Sequence, residues 1–320
     1  MNWFAFSWQN FWFAFLALVF EGVPFILLGS LISGAIAAFV PARVITGLLP
    51  KSRFAAILVS GLLGVIFPVC DCGIVPIVRR MLKKGVPLSC GVTYMLASPI
   101  VNPLVISSTV VAFQGQAPLL NAGLRVGFGY FIAVIIGLIV GTLQSESILR
   151  KGLFTPSTPR RTGMRIAPLP GTVSEAIEVD FARKVCDAVR TATDDFLGTA
   201  LYFMVGAAIA ATFNTTINQR LILPLASDSS LSIMAMMTLS GILTLCSTSD
   251  AFIAATFVTF PSVARMAFLV FGPMFDLKLI FLYSALFKKR FVVALGVGLF
   301  LSVGVICGII ASEIYASQGF

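Results

Sequence analysis

Eight long apolar segments run through this chain of 320 residues, and they constrain its fold more than any other feature. A helix needs about 20 apolar residues to cross about 30 Å of hydrocarbon. Only 11% of the residues are charged and the mean hydropathy is +1.01, values that exclude a soluble domain with a polar surface. The segments are Phe11–Val40, Phe54–Val78, Pro87–Phe113, Asn121–Leu143, Phe196–Phe213, Leu231–Phe260, Ser262–Phe287 and Phe291–Ala311. The sequence therefore predicts an all-α, polytopic membrane protein.

The positions of the basic residues decide between two topologies. If all eight segments cross and the basic stretch 144–192 is cytoplasmic, the basic clusters at 43–53 and 288–290 lie outside, against the positive-inside rule. If the second and sixth segments instead enter and return as re-entrant hairpins, most of the 22 basic residues become cytoplasmic, and Arg220 and Arg265 lie outside. This count favours two inverted repeats, each of three transmembrane helices plus one re-entrant hairpin, with an external N-terminus. Eight plain transmembrane helices are the alternative.

Short motifs recur in the two halves of the chain. Ser60-Gly61-Leu62-Leu63 is matched by Ser240-Gly241-Ile242-Leu243. Cys72 lies 27 residues before Pro99, and Cys246 lies 27 residues before Pro273. We therefore expect an N-terminal membrane repeat at 1–143, a cytoplasmic linker at 144–192 and a C-terminal membrane repeat at 193–320. Inverted repeats with broken helices are a recurring architecture of transporters.

The linker has two parts of different character. The stretch 155–165 is rich in Ser, Thr, Pro and Arg, which is typical of a flexible segment near anionic headgroups. The stretch 175–195 carries Ile177, Phe181, Val185 and Val189 at intervals of about one helical turn. This spacing predicts an amphipathic helix.

Each predicted hairpin contains residues that interrupt a helix. Pro68, Gly73 and Pro76 remove backbone donors and admit unusual dihedral angles within one short stretch. Near Cys246 the interruption depends on Ser, Thr and Asp side chains that compete for backbone hydrogen bonds. Backbone groups freed in this way must be buried in protein or line a wet cavity.

Several polar residues fall at membrane depth, where an Asp at a helix centre costs about 2.5–3.5 kcal/mol on insertion scales. We expect a substrate or ion to be bound by residues near the two interruptions and after the second proline of each half. These are Cys70, Asp71, Cys72, Asn102, Cys246, Ser247, Thr248, Asp250 and Asp276. A pairing of Lys278 with Asp276 or Glu21 would offset the burial of both charges, and Arg125 is expected to snorkel to the outer interface.

The cysteines indicate the chemistry of that site. Cys70 and Cys72 are separated by one residue, and with Cys246 they could form a soft-ligand site for a thiophile such as trivalent arsenic or Cu(I). Cys90 and Cys307 are better explained as small apolar residues. The chain contains no histidine, which excludes His-ligated metal sites, Ser-His-Asp triads and imidazole proton relays. It also lacks a Walker motif, so we expect no intrinsic ATPase.

Four longer motifs resemble those of a known family. They are Pro68-Val-Cys70-Asp71-Cys72-Gly73, Ala97-Ser98-Pro99-Ile-Val-Asn102-Pro103, Cys246-Ser247-Thr248-Ser249-Asp250-Ala251-Phe252 and Gly272-Pro273-Met-Phe-Asp276. Together they resemble the predicted permease family that includes the ArsP-type organoarsenical efflux permeases, over nearly the whole chain. The resemblance implies a multi-pass permease of the bacterial inner membrane, and efflux of trivalent organoarsenicals is the activity of its best-known relatives.

The combined expectation is a secondary active exporter of a small solute, such as a thiophilic one. Glu21, Asp71, Asp250 and Asp276 are the candidates for proton coupling. A membrane-embedded thiol oxidoreductase, in which Cys70 and Cys72 cycle between dithiol and disulfide, and a channel lined by paired re-entrant loops are the alternatives. Enzyme activity and a cofactor are not expected. The expected partners are a small-molecule or ion substrate and membrane lipid, not nucleic acid, and a homo-oligomer is left open.

Overall fold

The computed structural model describes residues 8–41, 52–66, 69–143, 148–149, 173–216 and 229–311, and the single residues 44, 47, 50 and 313. For 173–183, 216, 229–230 and 310–311 it describes the backbone alone. Pro68, the predicted flexible segment 155–165 and Arg220 lie outside the described residues.

The described residues form helices and no strand, apart from an isolated bridge between Leu149 and Phe287. The helices are α1 Trp8–Phe39, α2 Arg53–Ile66, α3 Ile74–Lys83, α4 Leu88–Ala97, α5 Pro103–Ala112, α6 Pro118–Thr142, α7 Val173–Thr216, α8 Ser229–Leu243, α9 Ser249–Thr256, α10 Ser262–Met274, α11 Leu277–Leu286 and α12 Lys289–Ile306, which a π-helical turn Cys307–Ala311 extends.

Five stretches of helix are long and apolar enough to cross a membrane. They are Trp8–Phe39, Pro118–Thr142, Lys184–Thr215, Ser262–Leu286 and Lys289–Ile309. The prediction of an all-helical protein with several membrane spans is therefore confirmed for the described residues.

Both predicted helix interruptions are present. The first lies between α2 and α3, and we call its described residues 69–73 the first loop. The second lies between α8 and α9, and we call residues 244–248 the second loop. Two further interruptions follow, at 98–102 between α4 and α5 and at 275–276 between α10 and α11. The same succession of two broken segments thus occurs in each half of the chain.

Helix α2 runs antiparallel to α6. Arg53 at the start of α2 packs against Gly141 near the end of α6. One turn further along α2, the carbonyl oxygen of Leu58 accepts a hydrogen bond of 2.9 Å from the Tyr130 hydroxyl. We call the end of the bundle at which α2 begins and α6 ends the basic end.

Helix α3 returns to the basic end. Leu82 near its C-terminus packs over Gly91 in the first turn of α4. Thr93 in the next turn of α4 lies against Gly137 near the end of α6. Because α6 ends at the basic end, α2 begins there and α3 ends there.

Helices α8 and α9 enter from the opposite end. Arg265 in the first turn of α10 donates to the side chain of Gln116, which precedes α6. Helix α8 runs parallel to α10, since the Ser240 hydroxyl donates to the carbonyl of Phe268 at 3.1 Å and Thr244 accepts from Lys278 of α11. The short connection 257–261 joins α9 to the start of α10 at that same end.

Helices α1 and α7 form an antiparallel pair beside the loops. Gly34 near the end of α1 packs against Ala188, and Gly22 packs against the ring of Phe203. Helix α7 is continuous over 44 residues, or about 66 Å at 1.5 Å per residue, which is longer than the bilayer is thick. It combines the predicted amphipathic helix 175–195 and the predicted span 196–213 in one element.

Charged contacts join these helices at the basic end. Asp195 of α7 accepts hydrogen bonds from Arg80 at 2.9 Å and from the Ser33 hydroxyl at 2.7 Å. Lys84 donates to the last free carbonyls of α1, including that of Ile36 at 2.5 Å. A cation at a helix C-terminus also complements the helix dipole.

The fold predicts that Gly29→Ala destabilises the protein. A Cβ at this position would lie 2.1 Å from the carbonyl oxygen of Gly73 in the first loop, so α1 would have to move. We expect a lower melting temperature, with a cost of about 1–3 kcal/mol typical of overpacking. The matched control is Gly123→Ala in α6, whose Cβ would meet nothing within 4 Å. The melting temperatures of the two detergent-solubilised variants are measured by thermal scanning with size exclusion. Equal melting temperatures would contradict the predicted destabilisation by Gly29→Ala.

Candidate functional site

The first loop places Cys70, Asp71 and Cys72 inside the protein, where each is buried. The loop closes in a turn, with the amide of Gly73 donating to the carbonyl of Cys70 at 3.2 Å. A Cβ at Gly73 would lie 2.6 Å from the carbonyl oxygen of Phe25, so a glycine is needed where the loop crosses α1.

The second loop begins with a strained residue. Thr244 has φ 50°, which is a left-handed conformation that a β-branched residue rarely adopts. Cys246 follows, and its carbonyl oxygen accepts hydrogen bonds from the amides of Ser249 and Asp250 at 2.9 and 3.0 Å. Such strain costs about 1–3 kcal/mol and persists only where the surroundings fix the backbone.

The ammonium group of Lys278, on α11, joins both loops. Its Nζ lies 2.9 Å from Asp71 Oδ2 and 3.4 Å from Asp276 Oδ2. It also donates to the carbonyl oxygens of Thr244 and Leu245 at 3.2 and 3.1 Å. Of the two pairings considered for Lys278, the one with Asp276 is present. Lys278 belongs to the second half and Asp71 to the first, so this ion pair links the two halves.

Arg125, on α6, makes the reciprocal link. Its Nη2 donates to both carboxylate oxygens of Asp250 at 2.9 Å and to the carbonyl of Ser247 at 2.9 Å. Its Nη1 donates to the Thr109 hydroxyl at 2.7 Å. The prediction that Arg125 snorkels to the outer interface is wrong, because its side chain is only 1% exposed. Ser247 of the second loop, Asp250 of α9 and Thr109 of α5 supply it with the acceptors that water would otherwise provide.

Asn102 and Asp276 occupy equivalent positions in the two broken segments. Asn102 Oδ1 accepts from the amide of Leu104 at 2.9 Å and caps α5. Asp276 Oδ1 accepts from the amide of Leu279 at 2.7 Å and caps α11. Each side chain thus satisfies a backbone donor that the interruption of the helix leaves free. For Asp276 the same carboxylate also contacts Lys278.

Glu21 differs from the other carboxylates at membrane depth. It is only partly buried, midway along α1, and it accepts a hydrogen bond of 3.4 Å from the Ser249 hydroxyl just beyond the second loop. It makes no ion pair with any side chain in the described ranges. The alternative pairing of Lys278 with Glu21 is therefore not present in this structure.

A small cavity lies between the two loops, α1 and α7. It is narrow and leaves room for about one water molecule. Its lining is formed by Leu18, Glu21, Gly22, Phe25, Cys70, Cys72, Phe203, Cys246 and Lys278. Three thiols, one carboxylate and one ammonium group therefore face a single space.

The remaining predicted residues do not line the cavity. Asp71 and Asp276 contact Lys278, while Ser247 and Asp250 contact Arg125. The Thr248 hydroxyl lies 3.7 Å from the sulfur of Cys246. Three buried polar atoms of the loops make no hydrogen bond within the described residues, namely Asp71 Oδ1, Thr244 Oγ1 and Ser247 Oγ.

Sequence reasoning missed part of the site. It did not place Lys278 and Arg125 among the binding residues, nor the apolar wall formed by Phe25 and Phe203. A signal existed for the two cations, because each is an isolated charge inside an apolar segment. No comparable signal exists for Phe203, which is one of 29 phenylalanines in the chain.

Comparison with known proteins agrees with a membrane permease. A family profile described as "Predicted permease" matches residues 7–313. The UPF0718 protein YcgR of Bacillus subtilis is 38% identical over 279 residues, which cover 87% of this chain and 89% of YcgR. A Streptococcus mutans protein, provisionally named as a two-component membrane permease complex subunit, is 31% identical over 279 residues, 87% of each chain. No solved structure matches.

The site predicts a large effect for Lys278→Met. Removing the ammonium group leaves Asp71 and Asp276 buried without a cation, which typically costs about 3–5 kcal/mol. We expect the melting temperature to fall sharply. The exposed residue Lys289 provides the control, because Lys289→Met should change stability by less than about 0.5 kcal/mol.

A triple variant distinguishes loss of the ion pairs from a general failure of Lys278→Met to fold. Lys278→Met combined with Asp71→Asn and Asp276→Asn removes all three charges together and should regain much of the stability. A Lys278→Met protein that melts with the Lys289→Met control would show that the ion pairs do not stabilise the loops.

Proposed function

The chain belongs to the ArsP-type predicted permease family, and we propose that it is a secondary active transporter that exports a small solute through the cavity between its two loops. The chain is a multi-pass protein of the bacterial inner membrane, and its relatives indicate a transporter rather than an enzyme. The observation that carries the proposal is the juxtaposition of two interrupted segments around one space lined by thiols and charges.

Re-entrant hairpins are the first part of the proposal. The contacts of Arg53 with Gly141 and of Leu82 with Gly91 support a first hairpin that enters and leaves at the basic end. The contact of Arg265 with Gln116 supports a second hairpin at the opposite end. With the basic end in the cytoplasm, this arrangement also satisfies the positive-inside rule.

Inversion of the two halves is the second part. The equivalent capping roles of Asn102 and Asp276 support a structural repeat. The reciprocal ion pairs, Lys278 with Asp71 of the first loop and Arg125 with Asp250 just beyond the second loop, fit two halves that face each other at the membrane centre. Substrate sites of inverted-repeat transporters lie near the midplane at this interface.

A thiophilic solute is the third part. Cys70, Cys72 and Cys246 all line the cavity, and all are free thiols. Within the described residues, no group of three Cys, His, Asp or Glu side chains is arranged to hold a metal ion. A trivalent organoarsenical with one carbon substituent has two exchangeable positions on arsenic and so requires only two thiols. It is therefore a better match for these cysteines than a metal ion that prefers three or four soft ligands. Export is the direction that the family resemblance implies.

The alternatives fit the cavity less well. A channel needs a path that stays open to ions, whereas this cavity has room for about one water molecule. A thiol oxidoreductase needs thiols that a redox partner can reach, and Cys70, Cys72 and Cys246 are buried.

The hairpin topology predicts which positions share a face of the membrane. We expect cysteines introduced at Arg53 and Lys83 to react with an impermeant maleimide only from the cytoplasmic side. Cysteines introduced at Gln114 and Val258 should react from the outside. The exposed native Cys186 should mark the cytoplasmic face, and the other variants are made with Cys186→Ser. Reaction of the Arg53 and Lys83 positions from different faces would require a plain crossing between them and would end the hairpin model.

The thiol site predicts stabilisation by a small arsenical. We expect methylarsonous acid at about 100 times its Kd to stabilise the wild-type protein by about 2.7 kcal/mol, seen as a higher melting temperature. The variant Cys70→Ser with Cys72→Ser should lose this shift. The control variant, Cys90→Ser with Cys307→Ser, changes two buried thiols that do not line the cavity and should keep it. An equal shift in both double variants would remove the thiol site and leave the carrier proposal standing.

A further inference from the structure

Four carboxylates lie at membrane depth, and three of them already have a cationic partner. Asp71 and Asp276 share Lys278, and Asp250 holds Arg125 through both carboxylate oxygens. Glu21 is the exception within the described residues, since its contact is the Ser249 hydroxyl at 3.4 Å. The ion pairs that the three paired carboxylates form explain why those residues are buried in the protein, whereas no ion pair explains the presence of Glu21.

The balance of charge at the site is negative. Four carboxylates face two cations, Lys278 and Arg125, so full ionisation would leave two negative charges in excess. An unpaired carboxylate in a medium of low dielectric constant is costly unless it takes up a proton. Protonation of Asp71, Asp250 or Asp276 would break an existing ion pair. Protonation of Glu21 breaks none.

Glu21 is also the carboxylate that a solute in the cavity would touch. Among the four, it alone lines the space, whereas Asp71, Asp250 and Asp276 do not. The Glu21 side chain projects from α1 and is partly buried, and part of it lines the cavity.

The groups that face Glu21 come from every element around it. The first loop contributes the thiols of Cys70 and Cys72, and the second loop that of Cys246. The Ser249 hydroxyl follows from α9, the Phe203 ring from α7 and the Lys278 ammonium from α11. Lys278 is the one charged group in this set, and Asp71 and Asp276 already hold it.

We propose that Glu21 carries the exchangeable proton of the transport cycle, while Asp71, Asp250 and Asp276 remain in their ion pairs with Lys278 and Arg125. This inference rests on the proposed transporter function and assigns its coupling site. The proton and the solute compete for one small space, because the cavity in this structure has room for about one water molecule. A solute that enters from the cytoplasm displaces the proton, and a proton from the outside displaces the solute.

A labelling experiment tests the assignment without knowledge of the solute. Dicyclohexylcarbodiimide adds to protonated carboxyl groups in apolar surroundings, and peptide mass spectrometry locates the adduct. In proteoliposomes of the full chain, we expect an adduct on Glu21. The peptides with Asp71, Asp250 and Asp276 should remain unmodified. Labelling of any of these three, or none at Glu21, would overturn the assignment.

A transport experiment separates this inference from the proposed function. Flux of methylarsonous acid is measured in proteoliposomes with and without a pH gradient, for the wild type, Glu21→Gln, Glu21→Asp and the exposed control Asp187→Asn. We expect the gradient to accelerate flux at least five-fold in the wild type and in Asp187→Asn. In Glu21→Asp we expect a smaller acceleration. Glu21→Gln should exchange solute at a rate that does not respond to the gradient.

Each other outcome has a defined meaning. A wild-type flux that ignores the gradient contradicts the proposed proton-coupled carrier. A gradient response that persists in Glu21→Gln contradicts the assignment to Glu21 alone. If the wild type does not move methylarsonous acid, the proposed solute class is wrong, and the labelling pattern then decides the assignment by itself.

Discussion

The structure depends on a buried ammonium group that belongs to one half of the chain and neutralises a carboxylate of the other. Lys278 joins Asp71 of the first loop to Asp276 at the start of its own helix and to two carbonyl oxygens of the second loop. In an apolar medium these groups have no alternative partners, so separating them would leave charges without compensation. Arg125 does the same for Asp250 from the other half. Each loop is thus held by a cation from the other half of the chain, and Lys278 also holds the second loop within its own half.

This arrangement explains how interrupted helices can exist inside a membrane. The described residues of the first loop are all buried and those of the second loop are buried or half-buried, because α1, α6 and α11 pack against them. Side chains cap the other two interruptions, at Asn102 and Asp276. The contacts of Asp195 with Arg80 close the basic end, and the contact of Arg265 with Gln116 joins helices at the opposite end. Movement of a solute through the cavity requires the contacts at one of these ends to separate.

Much of the site could be predicted from the sequence, because residues that are costly in a membrane stand out against an apolar background. Glu21 was predicted in this way, Cys70, Cys72 and Cys246 were predicted from their spacing and soft-ligand chemistry, and all four line one cavity. Arg125 was misread, since a cation seven residues into a helix has the length to reach an interface and nothing local reveals a buried partner. That partner, Asp250, is 125 residues away along the chain. The sequence motif also could not tell that Asn102 would act as a helix cap.

The sequence by itself determined that this chain is helical and membrane-embedded, because hydrocarbon accepts few backbone arrangements and the apolar segments have the length to cross it. It also determined where two helices break, through residues that compete for or remove backbone hydrogen bonds. Only the tertiary structure decided which charge meets which, because ion pairs between distant segments have no trace in local pattern. It alone separated Glu21, which faces the cavity without a cation, from three carboxylates of the same type that are held in place.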